Sequence, residues 1–414
     1  MKTFKTTLTL TLVFVIALSS TAMALPLHRA ERHYQDGETF TPLRMVAEAF
    51  DAAVEWVGEH RNVIVRTPGG HALIINIDDI GGYIQDDTLF VPYSYAMYLF
   101  FWSRVGGTAP AVVVSGTRPQ IHGMLTRIEY YDNIAYIFGS MHAGRPEWFP
   151  LHPMVEEAMA RADIFGFEVD MTELANLTVE DFAEIIELQS LPEGKTLYDV
   201  VPQDVLDNFK VSFATYYDVL GIQFDDVKHL TPLAISYAID ILMLELSGLD
   251  ISIGDQMIDG YIAAFAKERG KPMIGFEDIL DQSRLLYDVP LEIQFYALID
   301  FPDFETYFAS VIHDYGLTEA YARQDIQLIR EMLNIGWSQE GNPLEQHNHY
   351  INWYHRCNIY ANGIAELLQQ TEEPTTFFFT FGLSHIIGGN AGIVLYLLED
   401  MGFELNHLWK INEL

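Results

Sequence analysis

The sequence of 414 residues holds a single cysteine, Cys357. No intramolecular disulfide can form, thiolate metal clusters are excluded, and stability has to come from a packed core. Cys357 falls in an expected helix and not at a strand end or turn, so it reads as a small buried side chain and not as a nucleophile. Basic residues are also scarce: 23 Lys and Arg stand against 58 Asp and Glu, a formal charge of −35. Such a charge repels nucleic acid and anionic membrane surfaces, argues against both as partners, and suits a soluble exported protein. Beyond the first two dozen residues, no run has the length and freedom from charge of a membrane span.

The chain begins Met1-Lys2-Thr3-Phe4-Lys5, continues with an apolar run from Leu8 to Leu18, and reaches Ala22-Met23-Ala24. This is the pattern of a secretory signal peptide with a small-x-small cleavage site. Residues 1–24 are expected to be removed and the mature protein to be secreted or otherwise extracytoplasmic. Without Lys2 and Lys5 the balance is 21 basic against 58 acidic residues, or −37. Half of the residues are hydrophobic, ample for a large core, and the length favours at least two domains.

One stretch organises the rest. Ile134-Ala-Tyr-Ile-Phe-Gly139-Ser-Met-His142 is a short apolar run that stops at a glycine and delivers a histidine three residues later. Phe377-Phe-Phe-Thr-Phe-Gly382-Leu-Ser-His385 repeats the device near the other end. Runs this short read as buried strands, with the glycine marking where each strand breaks. In one parallel sheet both histidines leave at the same edge, where open α/β sheets place ligand sites. The strand through Phe165-Gly-Phe-Glu168-Val-Asp170 alternates so that Glu168 and Asp170 share a face, and the strand Met273-Ile-Gly-Phe-Glu277 also ends on a carboxylate. His142, His385, Glu168, Glu277 and Asp170 together could hold a divalent metal or perform acid/base work.

Residues 25–118 form a first, α+β unit. Thr41-Pro-Leu-Arg44 opens an amphipathic helix, the runs Val54–Trp56, Asn62–Arg66 and Ala72–Ile77 read as strands, and Leu89-Phe-Val-Pro92 repeats the opening. This segment resembles the copper amine oxidase N-terminal-like domain. The resemblance implies attachment or recognition, for instance of cell-wall material, and no copper. Residues 108–120 are the join, and 121–414 the second unit. There the helix from Pro153 to Arg161 links two strands as a parallel β-α-β unit, Thr178-Val-Glu-Asp181 reads as a capping box, and a long helical stretch follows. His347, His349 and His355 are expected in an exposed loop entering a helix, as a solvated patch and not a metal site. A helix from Ala391 to Met401, capped by Gly402, closes the chain. The fold class is therefore α/β, a mostly parallel central sheet flanked by many helices, preceded by the small α+β unit.

With these residues placed, 121–414 resembles the TraB/GumN family, also called PrgY or Tiki-like. The resemblance rests on Phe138-Gly-Ser-Met-His142 with Pro150-Leu, on Ala162-Asp163 with Phe167-Glu168-Val-Asp170, and on Asp259 with Gly270-Lys-Pro-Met-Ile-Gly-Phe-Glu277 and Gln282. Arg356 and Phe381-Gly-Leu-Ser-His385-Ile-Ile-Gly388 complete it. Where the family usually shows Arg-Asn, Cys357 follows Arg356 and the asparagine is Asn358. The resemblance implies a site of two Gly-x-x-His motifs with Glu and Arg. In one branch it implies a peptidase dependent on a manganese- or cobalt-type ion, and in others inhibition of peptide pheromone signalling. The family fold is thought to be related to erythromycin-esterase-like and haem-binding ChaN-like proteins.

The leading expectation is a secreted metal-dependent hydrolase acting on a peptide or protein substrate. His142, Glu168 and His385 would coordinate a divalent metal, manganese or cobalt with zinc not excluded, with Glu277 or Asp170 as base and Arg356 stabilising the oxyanion or clamping a substrate carboxylate. A metal-free esterase-like hydrolase with His142 as base and a non-catalytic peptide-binding or pheromone-binding protein are the alternatives.

Overall fold

The computed structural model describes residues 33–35, 38–49, 52–57, 62–66, 72–77, 82–92, 121–142, 148–170, 177–246, 257–307, 317, 320–322, 324–333, 341–387 and 393–409. The expected signal peptide and the join at 108–120 lie outside these residues. Among the described residues no helix is long and apolar enough to cross a membrane.

The N-terminal unit is built of short antiparallel strands. β1 (His33–Gln35), β2 (Glu38–Pro42), β6 (Tyr83–Gln85) and β7 (Thr88–Pro92) form one sheet in the order β1-β2-β7-β6. β3 (Ala53–Val57), β4 (Asn62–Arg66) and β5 (Ala72–Asn76) form another. The repeated apolar-then-proline openings pair with each other, Phe40 opposite Pro92 and Pro42 opposite Phe90. Helix α1 (Leu43–Ala49) starts directly after Pro42. Its Leu43 and Ala47, with Val63, Val65 and Val91, belong to the same buried apolar cluster as Leu206, Phe209, Phe213 and Ile239 of the second unit.

The second unit is a six-stranded sheet, β11-β10-β12-β9-β8-β13. Its parallel part comprises β9 (Asn133–Ser140), β10 (Ile164–Val169), β11 (Met273–Glu277) and β12 (Thr376–Gly382). β8 (Thr126–Tyr130) and the short β13 (Leu405–His407) add an antiparallel edge. The expected helix before Gly402 is α11 (Val394–Asp400), and the chain turns through Gly402, at φ +92°, into a further strand, β13, which the sequence pattern does not announce. The last parallel strand, β12, is inserted between β9 and β10. It is buried on both faces, with Phe377, Phe378, Phe379 and Phe381 all fully enclosed. That is why it reads as a continuous aromatic run without alternation. At ~2–3 kcal/mol for each enclosed ring, these four side chains anchor the sheet. Gly166 on β10 makes room for one of them, since a Cβ there would lie 2.5 Å from the Phe379 ring.

Helices cover the sheet. α2 (Pro153–Arg161) begins with His152 accepting Met154 N–H and packs Val155, Ala158 and Met159 inward. α3 (Val179–Gln189) carries the expected capping box, with Thr178 and Asp181 bonding reciprocally. α4 (Gln203–Ala214) and α5 (Pro232–Leu246) follow, and α6 (Ile258–Glu268) returns the chain through Gly270, at φ +63°, to β11. α7 (Ile279–Tyr287) leaves β11. The segment holding His347 and His349 is a helix, α8 (Pro343–His349), and not the expected loop, because Asn342 caps it with Glu345. It continues through a seven-residue π-helix, Tyr350–Arg356, into α9 (Cys357–Gln370), with α10 (Leu383–Ile387) following β12.

Candidate functional site

The four parallel strands end level with one another: Gly382 pairs with Ser140, and Val169 with Glu277. Their carboxyl ends open into a cavity of about 350 Å³ lined by His142, Glu168, Arg356 and His385, with Asp259, Gln282 and Asn352 beside them. A sheet whose strand order reverses places its ligand crevice at this edge.

Of the two Gly-x-x-His glycines, Gly382 is where its strand ends, as expected, whereas Gly139 lies one residue before the end of β9. Gly139 lies inside β9, where a Cβ would meet Leu383 Cδ1 at 2.9 Å. Gly382 ends β12, where a Cβ would lie 2.7 Å from His142 Nε2 and 3.2 Å from Glu168 Oε1. Both are required for close approach, and Gly382 also donates its N–H to Glu168 Oε1 at 2.6 Å. His142 itself sits at φ +49°, in the left-handed region that side chains rarely occupy. Ser140 Oγ accepts the His142 N–H at 3.1 Å and so holds that conformation.

Each histidine is fixed by its Nδ1. His142 Nδ1 stands 3.2 Å from Asp259 Oδ1, and since a carboxylate only accepts, Nδ1 carries the proton. Ser140 Oγ donates to the other oxygen of Asp259. His385 Nδ1 lies 3.3 Å from Cys357 Sγ, whose thiol donates to the Asn352 carbonyl. The rings of Trp353 and Tyr360 flank His385 at 6.1 and 5.2 Å. Both Nε2 atoms then face one carboxylate oxygen, Glu168 Oε1, at 3.4 Å for His142 and 3.8 Å for His385.

Behind them lies a buried ion network. Arg356 Nη2 bonds Glu168 Oε2 at 2.8 Å and Glu277 Oε2 at 2.9 Å, Nε reaches both oxygens of Glu277 at 3.0 and 3.1 Å, and Nη1 bonds Asn352 Oδ1 at 3.2 Å. Tyr360 OH at 2.6 Å and Gln282 at 3.2 Å complete the surroundings of Glu277. All three nitrogens of Arg356 are thus engaged and its side chain is 7% exposed, so the expected oxyanion or carboxylate clamp is replaced by a buried brace. Glu277, 3% exposed behind that brace, does not line the cavity and has no open face from which to act as base. Asp170 also lies outside the cavity lining. Asn358 bonds the Tyr354 carbonyl of its own helix, and Cys357 takes the place beside His385.

The electrostatics follow. Burial alone would lower the pKa of His142, but the carboxylates of Asp259 and Glu168 raise it well above its ordinary value. Burial alone would raise that of Glu168, but His142 and Arg356 hold it well below the usual carboxylate range. His385 is pushed down to about 4 by burial and by Arg356 and His142, against the pull of Glu168. Burial lifts the Cys357 thiol to about 12.

Among the described residues no group of three or more His, Cys, Asp or Glu side chains is assembled as a metal cage. The donor chemistry nevertheless fits a divalent ion. With Nδ1 of His142 protonated towards Asp259, its Nε2 lone pair faces the lone pairs of Glu168 Oε1, an arrangement that calls for a positive species between them. That species is a second proton on His142 or a divalent cation. For bonds of ~2.1 Å, neighbouring ligands are about 3.0–3.4 Å apart, so His142 is already at that spacing and His385 is ~0.4 Å beyond it. Asp259 behind His142 is placed as a carboxylate would be that orients a metal-ligating imidazole.

Sequence reasoning placed His142, Glu168, Glu277, Arg356 and His385 in one site, and the structure brings all five into one connected network. It did not foresee Ser140, Asn352, Trp353 or Tyr360, and took Asp259 only as a family position. The available signal for Asp259 was an acid in the apolar first turn of a helix, which is buried to 5% exposure. No curated protein and no solved structure matches the chain. A family model described as the copper amine oxidase N-terminal domain matches residues 27–94. The model of the TraB/PrgY/gumN family matches residues 124–407, that is 284 of the 414, and the chain belongs to that family.

Proposed function

We propose that this cavity is the active site of an exported hydrolase that cleaves peptide bonds with the help of a divalent cation. The observation that supports it most is the convergence of two Nδ1-anchored histidines, through Nε2, on Glu168 Oε1. His142 Nε2, His385 Nε2 and Glu168 Oε1 would hold the ion. When bound, it supplies Lewis acidity for a carbonyl and makes hydroxide available near neutral pH by lowering the pKa of water from ~15.7 to ~7.

The chain's own residues set the geometry. Asp259 and Ser140 fix the His142 tautomer and ring direction. Arg356 and the Gly382 N–H hold Glu168 by one oxygen each, and the charges of His142 and Arg356 keep it ionised. Phe167, Val169, Met257, Leu286 and Trp353 give the cavity an apolar wall beside these groups, while His142 remains 48% exposed. A second reading rests on the Asp259–His142 pair itself, which in a metal-free hydrolase would serve as an oriented general base. The apolar run after Lys5 supports export, and the N-terminal unit would serve attachment, for instance to cell-wall material.

Elemental analysis of the purified protein by inductively coupled plasma, paired with peptidase assays of wild type and of His142→Ala and His385→Ala, tests the proposal. One equivalent of metal and metal-dependent cleavage, both lost in each variant, is expected. Cleavage that survives metal removal would favour the general-base reading. Peptide binding without cleavage, unchanged in His142→Ala, would refute hydrolysis.

A further inference from the structure

We infer that Tyr321 is a positioning residue for His142, acting through the carbonyl of Gly139. The inference deepens the hydrolase reading, and its effect on turnover rests on that reading.

The strand lengths create the need for such a residue. β8 begins at Thr126, which pairs with Ile137, so among the described residues β9 runs on past its outer neighbour. Gly139 faces that side, and both of its backbone groups require partners from elsewhere. Its N–H goes to the Gly123 carbonyl at 2.6 Å, and its own carbonyl accepts the Tyr321 hydroxyl at 2.6 Å. A side chain 182 residues further along the chain thus stands in for the missing strand.

The next residue, Ser140, is the one on which His142 depends. Ser140 Oγ accepts the His142 N–H and donates to Asp259, and Asp259 holds His142 Nδ1. His142 keeps its φ of +49° only because its surroundings impose it, so a shift of the Gly139–Ser140 peptide is passed on to the ring. Tyr321 is 1% exposed and touches no substrate. Burial and the Asp259 charge push its hydroxyl well above the ordinary value, so it remains a donor.

Tyr321 is itself held in place. Its ring packs against Trp148, with centroids 5.8 Å apart. The Gln324 N–H returns to the Tyr321 carbonyl at 3.1 Å, and the Gln324 side chain bonds His122, whose Nδ1 accepts the Met124 N–H at 3.3 Å. Between His122 and Met124 lies Gly123, the residue that takes the Gly139 N–H. Tyr321 and Gln324 therefore brace the end of β9 and the turn beside it together.

The test reads the His142 ring directly. NMR of the metal-free protein, labelled with ¹⁵N-histidine, follows the Nδ1 proton that His142 shares with Asp259, assigned by its loss in His142→Ala. Tyr321→Phe keeps the ring and deletes the hydroxyl. Expected is a folded protein by circular dichroism whose His142 signal is shifted or broadened. In Mn²⁺-dependent peptide cleavage kcat should fall ~10–100-fold, with KM changed by less than ~2-fold. Gln324→Ala, which frees the other end of the brace, should move the same signal in the same direction by less. Phe403→Leu is the control for a general loss of stability: Phe403 packs on Tyr130, which pairs with the first residue of β9 at its opposite end. It should lower Tm and leave the His142 signal in place.

A His142 signal in Tyr321→Phe that superimposes on the wild type, or one that Phe403→Leu moves equally, would overturn the inference. Should Tyr321→Phe not fold, Gln324→Ala decides, and a wild-type signal there overturns it. Wild-type kcat and KM in Tyr321→Phe would sink this inference and keep the hydrolase reading. No cleavage by the wild type, together with a His142 signal displaced in Tyr321→Phe alone, would sink the hydrolase reading and keep Tyr321 as the residue that positions His142.

Discussion

Replacing Arg356 by methionine removes a buried guanidinium from its two carboxylate partners, Glu168 and Glu277. Arg356 is 7% exposed, Glu168 11% and Glu277 3%, so solvent does little to screen the loss. Glu277 would keep the Tyr360 hydroxyl and the Gln282 amide, and Glu168 the Gly382 N–H and the nearby His142 ring. Breaking a buried pair by deleting one partner costs ~3–5 kcal/mol, and with two partners stranded Arg356→Met should lie toward the upper end of that range. Adding Glu277→Gln removes one stranded charge and should restore ~1–2 kcal/mol. Urea unfolding followed by tryptophan fluorescence measures both. The pH dependence supplies an independent check. Arg356 helps hold Glu168 well below the usual carboxylate range, a contribution present at neutral pH and lost as pH falls. The deficit of Arg356→Met against wild type should therefore shrink on acidification from pH 7. A loss below ~1 kcal/mol, or a double variant no better than the single, would refute the buried-brace account.

Other expectations follow from the same geometry. Gly382→Ala puts a methyl 2.7 Å from His142 Nε2 and should lower activity ~100-fold or more while the sheet stays folded, as read by kinetics and circular dichroism. Asp259→Asn should lower the His142 pKa, measured by NMR on chelator-treated protein. A raised histidine pKa stabilises the fold below its ordinary value of about 6.5 and the benefit is lost as pH rises through the folded value, so the variant should be weakened more at pH 6 than at pH 9. His122, 3% exposed, is pushed down to about 4 by burial and by His152. Its folded value lies below the unfolded one, so stability is lost as pH falls from about 6.5 to 4, by up to ~3 kcal/mol, and His122→Asn should flatten that part of an acid-unfolding curve.

The parallel strands of the second unit were legible because each is a short run with a chemical marker at its end. Gly382 and His385, or Glu277 after Met273-Ile-Gly-Phe, announce a strand and what it delivers. The order of those strands was not legible, since nothing local to β12 says that it enters between β9 and β10. Strand parity also failed to place Glu277. Its position at the end of β11 was readable, but its seat behind Arg356 depends on Tyr360 and Gln282 arriving from two helices. The π-helix was hidden for a related reason. The segment with His355 reads as a loop entering a helix, yet Tyr350–Arg356 is helical, and its wider turn carries Asn352, Trp353 and Arg356 at the cavity. The glycines were legible as strand markers, Gly382 at the end of its strand and Gly139 one residue inside β9, but not their close packing against His142 and against Leu383.

Pulsed electron paramagnetic resonance of the protein titrated with Mn²⁺ tests the central claim most directly. The account predicts one tightly held ion per chain with nitrogen couplings from two imidazoles, one coupling lost in His142→Ala and the other in His385→Ala. An ion that binds without nitrogen coupling, or a spectrum indifferent to both substitutions, would contradict it.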